Sequence, residues 1–197
     1  LGSGGNIVAH ASGTRGTNDA TNGLDITGGT DGYVFNPGSV PTGCTIAFVG
    51  TVTAAASSTY RIFSLKGTGQ SNDWGSPGAV AVEWANYGGE GAHFATSNLG
   101  SVSDPIGLAT GWRTAPVIMT WEFADGGALE IYVDDVAATG GTHSGAMPGG
   151  ETDLDIGFFN SYSSESGAGG DILAFAYFDE VLSASDRDDL NTYLAAL

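Results

Sequence analysis

The stretch ALEIYVDDVAATG, residues 128–140, decides the fold, because its first half alternates between apolar and polar side chains. The apolar side chains are Leu129, Ile131 and Val133, and the polar ones are Glu130, Tyr132 and Asp134. This period of two predicts a strand with one face on a core. Asp134 and Asp135 then predict a tight turn, because Asp tolerates left-handed backbone better than most residues. The stretch therefore predicts a β-hairpin in an antiparallel sheet.

Strand-like runs continue along the rest of the chain. Each run is apolar or alternating and ends in a cluster of Gly, Ser, Asn, Asp or Pro. The further candidate strands are residues 33–35, 45–52, 60–66, 80–84, 92–96, 117–123, 154–159 and 172–182. No helical pattern separates them, whereas a parallel sheet would need crossover helices. The sequence thus predicts an all-β sandwich of two antiparallel sheets with about nine or ten strands.

The one predicted helix lies at the C-terminal end. Ser183 precedes Asp186 by three residues, which resembles a capping box. The apolar residues at helical spacing after it are Leu190, Tyr193, Leu194 and Leu197. A chain of 197 residues without an interior linker predicts one domain, at residues 23–197. Residues 1–22 are rich in Gly, Ser, Thr and Asn and predict an irregular or edge segment that could serve as a tether.

Acidic residues dominate the charge of the chain. Five Lys and Arg stand against 22 Asp and Glu, a formal net charge of −17. Such a charge repels phosphate backbones and anionic lipid surfaces, and no apolar run approaches the roughly 20 residues that span a bilayer. The sequence therefore predicts neither a nucleic-acid partner nor membrane insertion. Cys44 is the sole cysteine, which excludes an intramolecular disulfide, and we expect a buried, inert thiol.

A series of short motifs runs from residue 32 to the C-terminal end. They are Gly32-Tyr33-Val34, Thr45-Ile46 with Val49, Ile62-Phe63-Ser64-Leu65-Lys66-Gly67, Trp112, the hairpin from Leu129 to Asp135, Ile156-Gly157, Gly170-Asp171-Ile172 and Phe178-Asp179-Glu180-Val181-Leu182-Ser183. In this order they resemble a laminin G-like domain of the concanavalin A-like lectin/glucanase superfamily. The resemblance implies a jelly-roll sandwich with a short C-terminal helix. Asp135 departs from it, because the family usually has Gly at that position.

Carboxylates suitable for glycoside hydrolysis are poorly arranged in this chain. Glucanases of the resembled superfamily use an E-x-D-x-x-E strand, which the sequence lacks. The nearest stretch is ETDLD, whose carboxylates are Glu151, Asp153 and Asp155, and the first two fall in a turn. The three histidines show neither metal-site nor triad spacing. We therefore predict a non-catalytic protein, with a glycoside hydrolase or lyase acting through Asp155 as an alternative.

Aromatic and amide side chains gather in three turn-rich stretches. Sugar sites stack pyranose faces on aromatic rings and bind hydroxyls with amides. The candidate contacts are Asn72 and Trp74 in QSNDWG, Tyr87 beside Asn86, and Asn160 with Tyr162 in NSY. By contrast, Trp84, Trp112 and Trp121 alternate with apolar strand residues, which predicts core positions. We interpret the five candidates as a glycan-binding rim, and the alternative is that they pack as loops against the ends of the sandwich.

Calcium is the one cofactor that the resemblance implies. Members of the superfamily often bind it near the edge of the sandwich through Asp side chains. The matching closing segment offers Asp171 and Asp179 as ligands, and Asp25 and Asp31 would approach from the N-terminal side. The chain has no dense Asp-x-Asp-x-Asp loop, so a solvated or turn-capping role for each carboxylate stays open.

These features predict a lectin-like recognition or adhesion module that is extracellular, at a cell surface or on a virion, with a glycan or cell-surface receptor as partner. Two alternatives stay open. One is a structural or decoration module that contacts other subunits of a virion or surface assembly and binds no sugar. The other is the hydrolase or lyase. Fold alone does not choose among the three, whereas assembly state and sugar release would.

Overall fold

The structure, a computed structural model, describes the strands, the terminal helix and some of the segments that join them. The described residues are 6–9, 18–19, 23–26, 33–36, 41–51, 60–67, 80–85, 91–96, 116–124, 128–137, 143–144, 154–158 and 170–196. Side chains are described for residues 41–51, 116–124, 130–137 and 171–196.

Fourteen strands and one helix occupy the described residues. They are β1 (Asn6–Ala9), β2 (Asn18–Asp19), β3 (Gly23–Ile26), β4 (Tyr33–Asn36), β5 (Gly43–Gly50), β6 (Tyr60–Gly67), β7 (Val80–Ala85), β8 (Gly91–Thr96), β9 (Val117–Ala124), β10 (Ala128–Val133), β11 (Val136–Ala137), β12 (His143–Ser144), β13 (Leu154–Phe158), β14 (Gly170–Phe178) and α1 (Ala184–Leu194). Their pairings are antiparallel. The predicted antiparallel β class with a C-terminal helix is confirmed.

The strands form two sheets. One has six strands in the order β1-β4-β13-β6-β7-β8. The other has eight, in the order β11-β10-β9-β5-β14-β3-β2, with β12 also pairing with β10. The segment 1–22 supplies an edge strand to each sheet, β1 to the smaller and β2 to the larger. In the larger sheet β5 and β9 run in unbroken register from the Gly43–Ala124 pair to the Gly50–Val117 pair.

The first face of β5 and β9 carries six buried side chains, among them the four largest that are fully buried. They are Cys44, Ile46 and Phe48 on β5, and Met119, Trp121 and Phe123 on β9. The rings of Phe48 and Trp121 pack with centroids 6.4 Å apart and planes tilted by 45°. Each fully buried apolar side chain contributes about 1.5–3 kcal/mol, so this face is the main core of the described residues. Burial also raises the pKa of the Cys44 thiol to about 12, which fits the expected inert cysteine.

The second face of the same strands is covered by α1. Leu190 and Leu194 of the helix pack against an apolar platform of alanine and β-branched residues on the sheet. That platform consists of Ala47, Val49, Ile118, Ala174 and Ala176. Because both of their faces are buried, β5 and β9 read as near-continuous apolar runs, like the strands of sheets covered on both sides. Among the described residues no helix is long and apolar enough to cross a bilayer.

The hairpin turn between β10 and β11 has left-handed backbone at both central residues. Asp134 has φ 48° and Asp135 has φ 64°, between the paired Val133 and Val136. Two positive φ angles in a two-residue loop define a type I′ turn, whose twist matches that of the flanking strands. Asp135 thus adopts the backbone that the Gly of the resembled family would provide. Asp134 also ties the turn to β9, because its Oδ1 accepts from the amide of Ile118 at 3.1 Å.

The candidate strands of the sequence all exist, with shifted ends, and β11 is the return strand of the predicted hairpin. Four short strands of two to four residues escaped prediction, namely β1, β2, β3 and β12. The largest difference in length is at β14, which ends at Phe178 instead of residue 182. There the hydroxyl of Thr45 donates to the carbonyl of Glu180 at 2.9 Å and accepts from the amide of Leu182 at 3.0 Å. These two hydrogen bonds to the buried hydroxyl take the place of backbone pairing beyond Phe178, where the chain leaves the sheet and leads into α1.

Ser183 caps α1 as predicted, and its removal tests the cap. Its Oγ accepts from the amide of Asp186 at 3.2 Å and donates to the Asp186 carboxylate at 2.6 Å. Ser183→Ala should lower the free energy of unfolding by about 1 kcal/mol, measured by urea denaturation. Ser185→Ala, at an exposed position of the first turn, should change it by less than about 0.5 kcal/mol. Equal losses in the two variants would contradict the capping role.

Candidate functional site

The five candidate sugar contacts lie outside the described residues, in connections between strands. Asn72 and Trp74 belong to residues 68–79, which join β6 to β7. Tyr87 belongs to residues 86–90, which join β7 to β8. Asn160 and Tyr162 belong to residues 159–169, which join β13 to β14. Their roles stay predictions, but the strand ends show where each connection is attached.

The strand registers place these attachments at two ends of the six-stranded sheet. Phe158, the last residue of β13, pairs with Phe63, the fourth of the eight residues of β6. Trp84, near the end of β7, pairs with Tyr60 at the start of β6. The connections 86–90 and 159–169 therefore leave the sheet at one end, whereas 68–79 begins at the far end of β6. At about 3.3 Å per residue along β6, Gly67 lies about 13 Å from the level of Phe158 and about 23 Å from that of Trp84. The sequence predicts that the five candidates form one rim, whereas the strand registers show that their attachment points form two groups.

A cluster of charged side chains joins α1 to the β9–β10 hairpin. Arg187 lies at its centre, with Nη1 at 3.0 Å from Glu122 Oε1 and Nε at 3.3 Å from Asp135 Oδ1. The guanidinium also lies 3.8 Å from the ring centroid of Tyr132. The Tyr132 hydroxyl in turn donates a short hydrogen bond to the Glu130 carboxylate. We call these five side chains the helix clasp.

Sheet register and the helix cap position the helix clasp. Glu122 of β9 pairs directly with Glu130 of β10, so two like charges face each other across the ladder. Such pairs are destabilising unless a counter-charge lies between them. Arg187 supplies a counter-charge to Glu122 from the first turn of α1, whose start is fixed by Ser183, while Glu130 accepts from Tyr132. The ion pair with Glu122 is largely withdrawn from water, because the side chains of Arg187 and Glu122 are only 13% and 6% exposed.

Burial perturbs the titration of the helix clasp. Desolvation raises the pKa of Glu122 above its usual range, although the hydrogen bond and charge of Arg187 oppose this. Desolvation and the hydrogen bond to Glu130 raise the pKa of Tyr132 to about 12, so the phenol stays a donor. A carboxylate with a raised pKa beside a second carboxylate is also typical of an acid catalyst. Glu122, however, lies almost buried beneath α1, where a glycosidic bond has no access, so the helix clasp fits a structural role.

The predicted calcium ligand Asp171 is hydrogen-bonded to Thr51. Its Oδ2 accepts from the Thr51 hydroxyl at 3.1 Å, its amide donates to that hydroxyl at 3.1 Å, and its carbonyl accepts from the Thr51 amide at 3.0 Å. Asp25, named with it in the calcium hypothesis, is its Cα partner across the β3–β14 ladder. Asp171 therefore joins the end of β5 to β14, and the calcium role of Asp171 with Asp25 stays a prediction.

The second predicted ligand, Asp179, lies too far from Asp171 to share an ion with it. The two residues are at opposite ends of β14, and at ~3.3 Å per residue eight steps span about 26 Å. Calcium needs six to eight oxygen atoms within about 2.6 Å. No group of three acidic, His or Cys side chains suited to a metal occurs among the described residues. The described residues thus do not fit one calcium site built on both.

The carboxylates of the hydrolase alternative are only partly described. Asp155 lies in β13 as the Cα partner of Lys66 on β6. Glu151 and Asp153 lie outside the described residues. A cross-strand partner of opposite charge is an ordinary stabilising arrangement in a sheet. The register thus gives Asp155 a Cα partner of opposite charge, and its part in hydrolysis stays an alternative prediction.

No protein-family model matches this sequence, and no curated protein matches it. Solved structures do share its fold. A Trypanosoma rangeli sialidase in complex with a difluorinated sialic acid analogue superposes with a TM-score of 0.66 at 14% identity, over 94% of this chain and 29% of the sialidase. The chain thus spans less than a third of that enzyme.

Two further solved structures are similar to the chain. Domain 4 of AbnA, a GH43 extracellular arabinanase from Geobacillus stearothermophilus, in complex with arabinotriose, superposes with a TM-score of 0.60 at 15% identity, over 95% of this chain and 87% of the domain. A botulinum neurotoxin type C structure, described as interacting with two ganglioside molecules for cell entry, gives 0.57 at 15% identity, over 96% of this chain and 47% of the toxin chain. At these identities the likeness shows the fold alone, and it is a fold found in proteins that bind or act on glycans.

Proposed function

We propose that this chain is a non-catalytic glycan-recognition module with a concanavalin A-like, laminin G-like jelly-roll sandwich. The observation that carries the proposal is the likeness to domain 4 of the arabinanase, because it covers nearly the whole of both domains and that domain holds arabinotriose. The other neighbours act on or bind glycans but are longer than this chain.

The sandwich part of the proposal rests on the apolar first face of the larger sheet. Ile46, Phe48, Met119 and Trp121 have no exposed surface, so a second layer covers them on that side. Since α1 lies over the opposite face, the six-stranded sheet is the natural cover. Two stacked sheets leave the connections at their ends for ligands, as in many folds that bind at loops.

The proposed glycan contacts are the rim residues Asn72, Trp74, Tyr87, Asn160 and Tyr162. Because their attachment points form two groups about 13–23 Å apart along the strands, we expect one short oligosaccharide to engage one group. An extracellular or surface setting, with adhesion as the outcome, is part of the same proposal. Calcium at Asp171 with Asp25 remains a separate prediction, and binding measured with and without chelator tests it.

Binding of purified protein to a glycan array tests the proposal, with Trp74→Ala and Tyr162→Ala as variants of the two groups. We expect retention of a defined glycan set, and a loss of at least about tenfold in affinity for one variant, because a stacked aromatic is a hot spot. The other variant should bind like the parent and serves as the matched control. Reducing-sugar release from the bound glycans should be absent. Failure of the parent protein to bind any glycan would overturn the proposal, and sugar release lost in Asp155→Asn would establish the hydrolase instead.

A further inference from the structure

We infer that the ligand is an uncharged oligosaccharide, and that glycans carrying sialic acid, uronic acid or sulfate are rejected. This inference rests on the proposed glycan-binding function and concerns only the charge of the ligand. Protein sites for carboxylate and sulfate groups use Arg or Lys, because charge-assisted and bidentate hydrogen bonds match those anions. An anionic glycan would therefore need an Arg or Lys side chain that is available to bind it.

Each cation of the described residues has an acidic residue either in contact with it or as its Cα partner. Arg187 pairs with Glu122 and Asp135 in the helix clasp. The other two are strand residues, and each has an acidic Cα partner, since Lys66 faces Asp155 and Arg61 faces Glu83. Opposite charges directly across a ladder attract each other. Of the five cations in the sequence, one thus contacts carboxylates and two have acidic Cα partners.

The connections that carry the candidate contacts have no compensating cation in their sequence. Residues 68–79, 86–90 and 159–169 contain no Lys or Arg, but each contains one acidic residue. These residues are Asp73, Glu90 and Glu165. An anionic sugar would thus approach a local negative charge and a net charge of −17 on the whole chain. Like-charge juxtaposition at an interface is strongly unfavourable, whereas amides and aromatic rings bind neutral sugars without a counter-ion.

The solved structures that share the fold include complexes with anionic and with neutral sugars. The sialidase is seen with sialic acid, an anion, and the arabinanase domain with arabinotriose, which is neutral. Because this chain has a large excess of acidic residues, we expect its ligand to be neutral. The two cations outside the described residues, Arg15 and Arg113, are the ones that an anionic glycan would have to use.

The test is an array that holds neutral core oligosaccharides beside their sialylated, sulfated or uronic-acid counterparts, read at low and high NaCl. We expect the bound set to be neutral, with each anionic counterpart at least about tenfold weaker. Raising NaCl from about 0.05 M to about 1 M should shrink that difference, because the screening length falls from more than 10 Å to about 3 Å. Arg15→Ala/Arg113→Ala should bind the neutral set unchanged.

Binding of an anionic counterpart as tightly as its neutral core would overturn the inference while leaving glycan recognition intact. A loss of that binding in the Arg15→Ala/Arg113→Ala variant would show that Arg15, Arg113 or both hold the anion. An array on which nothing is retained would instead remove the proposed function, and the inference with it. The two failures therefore give different readouts.

Discussion

Gly50→Ala is expected to destabilise the protein by at least about 3 kcal/mol, the upper range of overpacking, or to prevent folding. A Cβ at this position would lie 2.0 Å from the carbonyl oxygen of Asp171 and 2.6 Å from Cζ of Phe48. The close approach arises because the β5–β14 register shifts between Ile172 and Ala174. The bulged strand bends toward the end of β5, where the Thr51 amide bonds the same Asp171 carbonyl at 3.0 Å.

Urea denaturation, or the soluble yield if the variant does not fold, measures the effect. Gly43→Ala is the graded control, since its Cβ would meet the Phe123 carbonyl at 3.0 Å and Val181 at 3.1 Å, and it should cost about 1–2 kcal/mol. The double variant Gly50→Ala/Phe48→Leu removes the ring contact but keeps the backbone clash. It should not recover stability, and full recovery would show that the ring, not the bulge, sets the requirement for glycine.

The longer strands were predictable because their side-chain period or apolar content extends over five to nine residues. Ile131 is buried and Glu130 is exposed, as the alternation at β10 requires. The edge strands β2, β11 and β12 have two residues each, too few to carry a period. They exist because neighbouring strands offer unpaired backbone groups, which depends on tertiary arrangement.

The requirement for Gly50 and the role of Arg187 were invisible to sequence reasoning for a related reason. Both depend on atoms far away along the chain, the Asp171 carbonyl for Gly50 and Glu122 for Arg187. In sequence, Arg187 lies between Asp186 and Asp188 and reads as part of a solvated helix face. A signal existed in the lone cation among three aspartates near a predicted helix start. Side-chain chemistry alone predicts the rim residues, whereas only the strand registers show which of their connections leave the sheet at the same end.

Arg187→Met should lower the free energy of unfolding by about 3 kcal/mol near neutral pH, because removing one partner of a buried ion pair leaves the other charge buried without a counter-charge. That remaining charge is Glu122, which is 5% exposed and faces Glu130 across the ladder. Methionine keeps most of the length and the apolar stem of arginine, so the loss reports mainly on the guanidinium. Asp189→Asn, at an exposed helix position, is the control and should stay within about 0.5 kcal/mol of the parent.

The double variant Arg187→Met/Glu122→Leu should recover most of that loss, since an apolar pair of similar volume often replaces a buried ion pair without cost. A double-mutant cycle completed with Glu122→Leu then gives the coupling energy between the two side chains. If the double variant were as unstable as the sum of the two single variants, the ion pair would contribute nothing beyond separate packing.

The pH dependence separates lost charge pairing from lost packing. Burial already raises the pKa of Glu122 in the folded protein, so its titration favours folding most fully below its unfolded pKa, and this contribution declines as pH rises through the folded pKa. Without Arg187 the folded pKa rises further, because the opposing hydrogen bond and charge are gone. The deficit of Arg187→Met should therefore shrink between about pH 7 and about pH 5, as Glu122 takes up a proton. An equal deficit at both pH values would assign the effect to the packing of the arginine over Tyr132, which titrates too high to respond in this range.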